Sequence, residues 1–274
     1  MERFRYPAAF IVVWVLTMIS LPIVRWTLGG TALQRGIVVG VMVQVGIVLL
    51  TLLEAWGWGR MMRMVVVVLP LAWLAEFLGS NTGFPFGRYH YTEILQPQIG
   101  GVPVLIPIAW LMMLPPAWAV ADCISRPKKG DRRLALSQRS LISNQRSAIS
   151  QRILFSFFSA LAFTAWDLFL DPQMVAWNFW QWEHPGGYFG IPWVNFLGWL
   201  FVSGGITALV APRTLPIKPL LVFYGITWLL QAIGQLLFWG LPGPGVCGFW
   251  GMGGILFIAL WRNGIRNSIV HVTS

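Results

Sequence analysis

Residues 153–172, ILFSFFSALAFTAWDLFLDP, decide what kind of molecule this is. The run is apolar over the ~20 residues a helix needs to cross a bilayer. It nevertheless ends in two carboxylates, Asp167 and Asp171. Residues four apart on a helix share one face, so both can point into one cavity. An ionisable group at membrane depth is costly enough that a functional role is its default reading. The plainer alternative is that Asp171, which precedes Pro172, caps a turn where the helix stops.

Working outward from this run, seven more stretches of similar character appear, at 8–25, 36–56, 61–79, 102–121, 193–211, 217–239 and 245–261. The chain is 57% hydrophobic and only 10% charged, whereas a soluble domain carries about 25% charged residues. Lipid must therefore be its outer solvent. The expected fold is an all-α, polytopic membrane bundle of eight spans, with seven the alternative count. It forms one domain over residues 1–274. Arg3 and Arg5 precede the first apolar run, which is longer than a signal-peptide core and is read as a span. Pro70, Pro107 and Pro115 fall inside spans and predict kinks. The last two spans are joined at Leu241-Pro242-Gly243-Pro244-Gly245.

The formal charge of +10 raises nucleic acid as a partner, but the distribution of charge argues against it. Eight of the nineteen Lys and Arg lie between Arg126 and Arg152, and most others flank apolar runs. With eight spans, sixteen basic residues fall on the side of the termini and three, Arg25, Arg35 and Arg88, on the other. That asymmetry predicts cytoplasmic termini. The 126–152 segment is expected to be a basic, low-complexity cytoplasmic loop. Its Ser-Gln-Arg repeat also allows a basic helix lying on the membrane surface.

On the opposite side, two loops combine Gly and Pro turns with aromatics. One runs from Gly79 to Tyr91 and contains Arg88, Tyr89 and Tyr91; the other runs from Trp180 to Pro192 and contains Trp182 and Tyr188. Both are expected to be re-entrant or interfacial, because irregular backbone at membrane depth must be buried in protein or line a cavity. Glu76 lies near them at the end of the third span, Asn195 opens the sixth, and Gln231 and Gln235 approach in the seventh. A polar pocket near that face follows. Glu76 has its own plain reading, an ion pair with Arg88 that holds the loop. Three histidines, His90, His184 and His271, are too few for a di-iron centre, and two cysteines exclude a disulfide framework or a cysteine-rich metal site. No P-loop or dinucleotide fingerprint follows a strand, and Gly248 to Gly254 fits helix packing better. Neither a metal nor a cofactor is expected.

Glu76 through Tyr91, Gly101-Val102-Pro103 with Trp110, Trp166 through Pro172, Trp180-x-Trp182, and Gly187 through Pro192 with Asn195, Gly198 and Trp199 form long mixed motifs. In these the chain resembles carotenoid biosynthesis proteins of the CruF type, from the third span to the sixth. The resemblance implies a carotenoid 1,2-hydratase that adds water to the terminal double bond of an acyclic end, as in lycopene or γ-carotene. The product is a tertiary alcohol that a neighbouring glycosyltransferase can modify, and a cyclase is another conceivable neighbour. Such chemistry needs a carboxylic acid that stays protonated near neutral pH, a state favoured by burial and by a second carboxylate. On that reading Asp167 is the acid, and Asp171 or Glu76 the base that orients water. Trp166, Trp182 and Tyr188 would stabilise a cation, and Tyr89, Tyr91, Arg88 and Asn195 complete the expected binding set. Taken singly, each aromatic fits interfacial anchoring. The expected location is a bacterial plasma membrane or an internal photosynthetic membrane. Two other classes remain open: a carotenoid or isoprenoid binder without chemistry, and a proton-coupled transporter, although the halves show no internal repeat.

Overall fold

The structure is a computed structural model that describes residues 8–125 and 141–272. Eight helices among the described residues are long and apolar enough to cross a membrane. They are α1 (Ala8–Leu28), α2 (Gly30–Trp56), α3 (Trp58–Thr82), α4 (Leu105–Ser125), α5 (Leu141–Ala176), α6 (Trp193–Val210), α7 (Ile217–Ile233) and α8 (Pro242–Val272). The chain is an integral membrane protein with the expected span count. Apolar side chains such as Leu209, Trp250 and Phe257 cover its outer face, as lipid contact requires.

The bundle is built around α4. Its apolar window is 78% buried, against 17% for α1. It packs on α2, α3, α5, α7 and α8. In lipid the hydrophobic effect cannot drive helices together, so close packing must. Gly248 of α8 faces Phe169 of α5, and Gly253 faces Trp228 of α7; a Cβ at either would collide with the opposing ring. The glycine-rich run is therefore a packing seam.

Three boundaries and one helix type differ from the hydropathy reading. Val102-Pro103 are not helical: as β3 they pair with β2, Gln98–Ile99, and α4 begins at Leu105, which puts Pro107 in its first turn, where proline is tolerated. The α5 helix starts at Leu141, so residues 141–152 of the basic segment continue into the fifth span. The rest of that segment, 126–140, lies outside the described residues, as do Arg3 and Arg5. The seventh span keeps its expected extent to within a residue, Ile217–Phe238, but α7 finishes it as a π-helical turn over Gly234–Phe238. Pro242 to Gly245 form the first turn of α8 rather than a linker, a place where proline is well tolerated.

The two aromatic loops do not re-enter separately. They meet as an antiparallel ribbon, β1 (Tyr89–Tyr91) against β4 (Trp180–Trp182), in the register Tyr89 with Trp182, His90 with Gln181 and Tyr91 with Trp180. Side chains alternate across a strand. Accordingly His90 and Gln181 are exposed, while the four aromatics turn toward the bundle. Gly83 turns the chain into this ribbon with φ of 82°, and its N–H closes α3 on the Gly79 carbonyl at 2.8 Å.

Candidate active site

The α5 helix does not stop at Pro172 but continues to Ala176. Proline cannot supply the N–H that would bond the carbonyl four residues earlier. That carbonyl belongs to Leu168, and the Tyr188 hydroxyl donates to it at 3.0 Å. Gln235 from the π-helical turn donates to the next carbonyl, Phe169, at 2.6 Å and to Gln173 Oε1 at 3.1 Å. Side chains from elsewhere thus hold a proline-containing helix in place. Asp167 and Asp171 stay on one buried face of it, and the cap reading of Asp171 is set aside.

Both aspartates converge on one amide. Asn195 of α6 donates through Nδ2 to Asp167 Oδ2 at 2.9 Å and also to Asp171 Oδ2. The two carboxyls thus share one donor. Asp171 Oδ1 accepts from Trp180 Nε1 of the ribbon at 2.7 Å. Opposite stands Glu76 of α3, whose Oε2 accepts from the Tyr89 and Tyr91 hydroxyls at 2.6 and 2.7 Å. Its Oε1 accepts from Trp110 Nε1 at 3.2 Å. Burial, and then the neighbouring Glu76 carboxyl, push both phenols well above their ordinary range, so they remain O–H donors. The ribbon therefore reaches both acidic groups: β1 holds Glu76 and β4 holds Asp171.

Of the six oxygens on these three side chains, Asp167 Oδ1 is buried without a hydrogen-bond partner. Every other one accepts from at least one donor.

A cavity of about 590 Å³ opens beside them, lined by Glu76, Asp171 and Asn195 together with Trp166, Trp182 and Trp199. The N–H groups of Trp166 and Trp182 are buried without a partner. Trp199 stacks with Trp110 and Phe163 at ring separations of 5.2 and 5.1 Å, which gives the wall a rigid aromatic surface. Asp167 stands behind Asp171, outside the lining.

The other expected residues divide. Tyr89 and Tyr91 line the cavity and hold Glu76. Tyr188 packs among Phe189, Trp193 and Phe196, and supports α5 from outside the cavity. Arg88 is exposed and outside the cavity lining, and Glu76 bonds to aromatic donors instead of to it. The sequence reading passed over Trp180 and Trp110 as donors. The signal for Trp180 was the matching pair of alternate aromatics, Tyr89-x-Tyr91 and Trp180-x-Trp182. It also missed Gln44, a buried amide in mid-span that donates to Thr227 at 3.1 Å and lines the deep end of the cavity.

Carboxyls gathered around an apolar, aromatic-walled cavity can give and take protons on a hydrocarbon held against them. Comparison with known proteins points to the same class of molecule. Bisanhydrobacterioruberin hydratase of Haloarcula japonica is 29% identical over 136 residues, which is 49% of this chain and 39% of the length of that relative. No solved structure matches. The sequence profile of the family described as carotenoid biosynthesis protein matches residues 36–222, a stretch that contains Glu76, Asp167, Asp171, Asn195 and the whole ribbon. The chain belongs to this carotenoid biosynthesis protein family.

Proposed function

We propose that the protein adds water across the terminal C1=C2 double bond of an acyclic carotenoid end, of the lycopene or γ-carotene type, giving a tertiary alcohol. The observation that carries this reading is the placing of Glu76 and Asp171 in the wall of an otherwise largely apolar cavity. The hydratase named among its relatives adds support.

Asp167 and Asp171 share a proton, as closely coupled carboxyls do. Asp171, which faces the cavity, passes it to C2, and the electron pair of the double bond forms the new C–H bond. The positive charge then rests on C1, a tertiary centre. The ring faces of Trp166, Trp182 and Trp199 stabilise it, each by about 0.5–2 kcal/mol. Water bonds to C1 through oxygen while Glu76 accepts the proton it releases. That proton returns to the aspartate pair, so the net change is the addition of one water. Asn195 keeps the two aspartates in register, and the ribbon donors hold Glu76 and Asp171 still. In the topology we propose, the termini are cytoplasmic and the site lies toward the opposite face.

The test is expression in a bacterial host that accumulates lycopene, followed by mass spectrometry of the extracted pigment. A more polar pigment with an unchanged absorption spectrum and a mass gain of one water is expected. Unmodified lycopene, and then unmodified γ-carotene, with the protein present in the membrane would overturn the reading in favour of a binder.

A further inference from the structure

The cavity and the proposed substrate differ in size. About 590 Å³ suits a drug-sized ligand. An extended acyclic carotenoid is roughly as long as the ~30 Å hydrocarbon core is thick. One end can lie inside, and the rest must leave through a wall. The ribbon closes the loop end of the bundle over the carboxyls, so the way out is sideways.

One wall is open to lipid. Among the residues lining the cavity, the exposed ones are Ile19, Ile23 and Trp26 of α1 and Ile233 and Phe238 at the end of α7. Their exposures run from 40% for Phe238 to 64% for Trp26. All five belong to two elements, α1 and the end of α7, that line the same cavity as the carboxyls. The α1 helix is the least buried span, at 17%. The π-helical turn carries Phe238 round to meet Trp26, at a ring separation of 5.9 Å. Arg25 lies over the Trp239 ring at 5.8 Å and is the charged group of this rim, as suits an interface with headgroups.

We propose that the gap between α1 and the π-helical end of α7 is a binding site for the polyene chain. The substrate enters it end-first from the lipid. Its reacting end lies at Asp171 and Glu76, and its remaining length passes under the Trp26–Phe238 contact, between Ile19, Ile23 and Ile233, into the bilayer. The substrate's identity rests on the hydratase reading; the route rests on the geometry of the opening.

The experiment uses the full chain in a lycopene-accumulating host, with the photo-crosslinker benzoylphenylalanine replacing Trp26, Phe238 or, as a lipid-facing control on α8, Phe257, which is 71% exposed. After illumination, mass spectrometry counts carotenoid adducts. The expected result is an adduct yield at 26 and 238 at least about tenfold above that at 257. Equal yields at the three positions, or acyl-chain adducts alone at 26 and 238, overturn the route. Pigment from the same cells separates the two claims. Selective adducts without hydrated product retain the opening as a polyene site and sink the chemistry. Hydrated product with unselective adducts retains the chemistry and sinks the route.

Discussion

The same three helices build two buried polar clusters, one at each end, and the two clusters differ in kind. At the loop end, α4 supplies Trp110, α5 supplies Asp167 and Asp171, and α6 supplies Asn195. Toward the other end, the same helices supply Trp118, Ser159 and Thr207. There the Trp118 indole donates to Thr207 Oγ1 at 2.9 Å, and the Ser159 hydroxyl lies 3.0 Å from the same oxygen. That cluster is neutral, and none of its three side chains lines the cavity beside the carboxyls. The loop-end cluster carries carboxyls, leaves Asp167 Oδ1 without a donor, and borders the cavity. Burial of polar atoms is thus not by itself a sign of chemistry. Charge, an open valence and access to a ligand together are.

This contrast can be broken in several ways. Asp171→Asn is expected to have the largest effect, lowering hydrated pigment by about 10²–10⁴-fold, the range a general acid supplies. Protein in the membrane, measured by immunoblot, should stay unchanged, and near-normal turnover would remove Asp171 from the mechanism. Asp167→Asn should fall in the same range, because the proton belongs to the pair. Trp180→Phe removes one donor from Asp171 while keeping the ring; a loss of about tenfold is expected, corresponding to the ~1.4 kcal/mol of one such hydrogen bond. Thr207→Val should act oppositely. It costs about 1 kcal/mol of stability, seen as a lower midpoint of thermal aggregation in detergent, with hydration per folded molecule unchanged. Excision of residues 128–147 is expected to change turnover least, since the three carboxyls and their donors all come from other parts of the chain. A large loss of activity in stably inserted protein would assign the basic segment a part in turnover.

What the sequence made legible follows from the cost of lipid. A crossing helix must be apolar over its whole length, so eight spans could be read directly, and Glu76, Asp167 and Asp171 stood out as exceptions. The ribbon could not be read in that way. Each of its strands is three residues long, too short for a periodic signal, and the partners lie far apart in the chain. The passage of α5 through Pro172 was hidden for a similar reason, because the hydroxyl that makes it tolerable comes from Tyr188 in a later loop. An ion pair between Arg88 and Glu76 was the plain alternative, because both carry charge. Inside the bundle, two phenols and an indole bond the carboxyl instead, without bringing a second ion out of water.

The ribbon register also sets when the site can exist. Tyr91, which holds Glu76, and Trp180, which holds Asp171, are direct cross-strand partners. A slip of one residue would turn the aromatics of one strand outward together. Glu76 enters the bilayer with the third span, long before Trp180 has been synthesised. Through the insertion of the third, fourth and fifth spans the strand that holds Glu76 lacks its partner, and the aspartate pair lacks its ribbon donor on β4. The arrangement is therefore complete only after both the ribbon has closed and the sixth span has brought Asn195 to the two aspartates, so a chain that ends before that span lacks it.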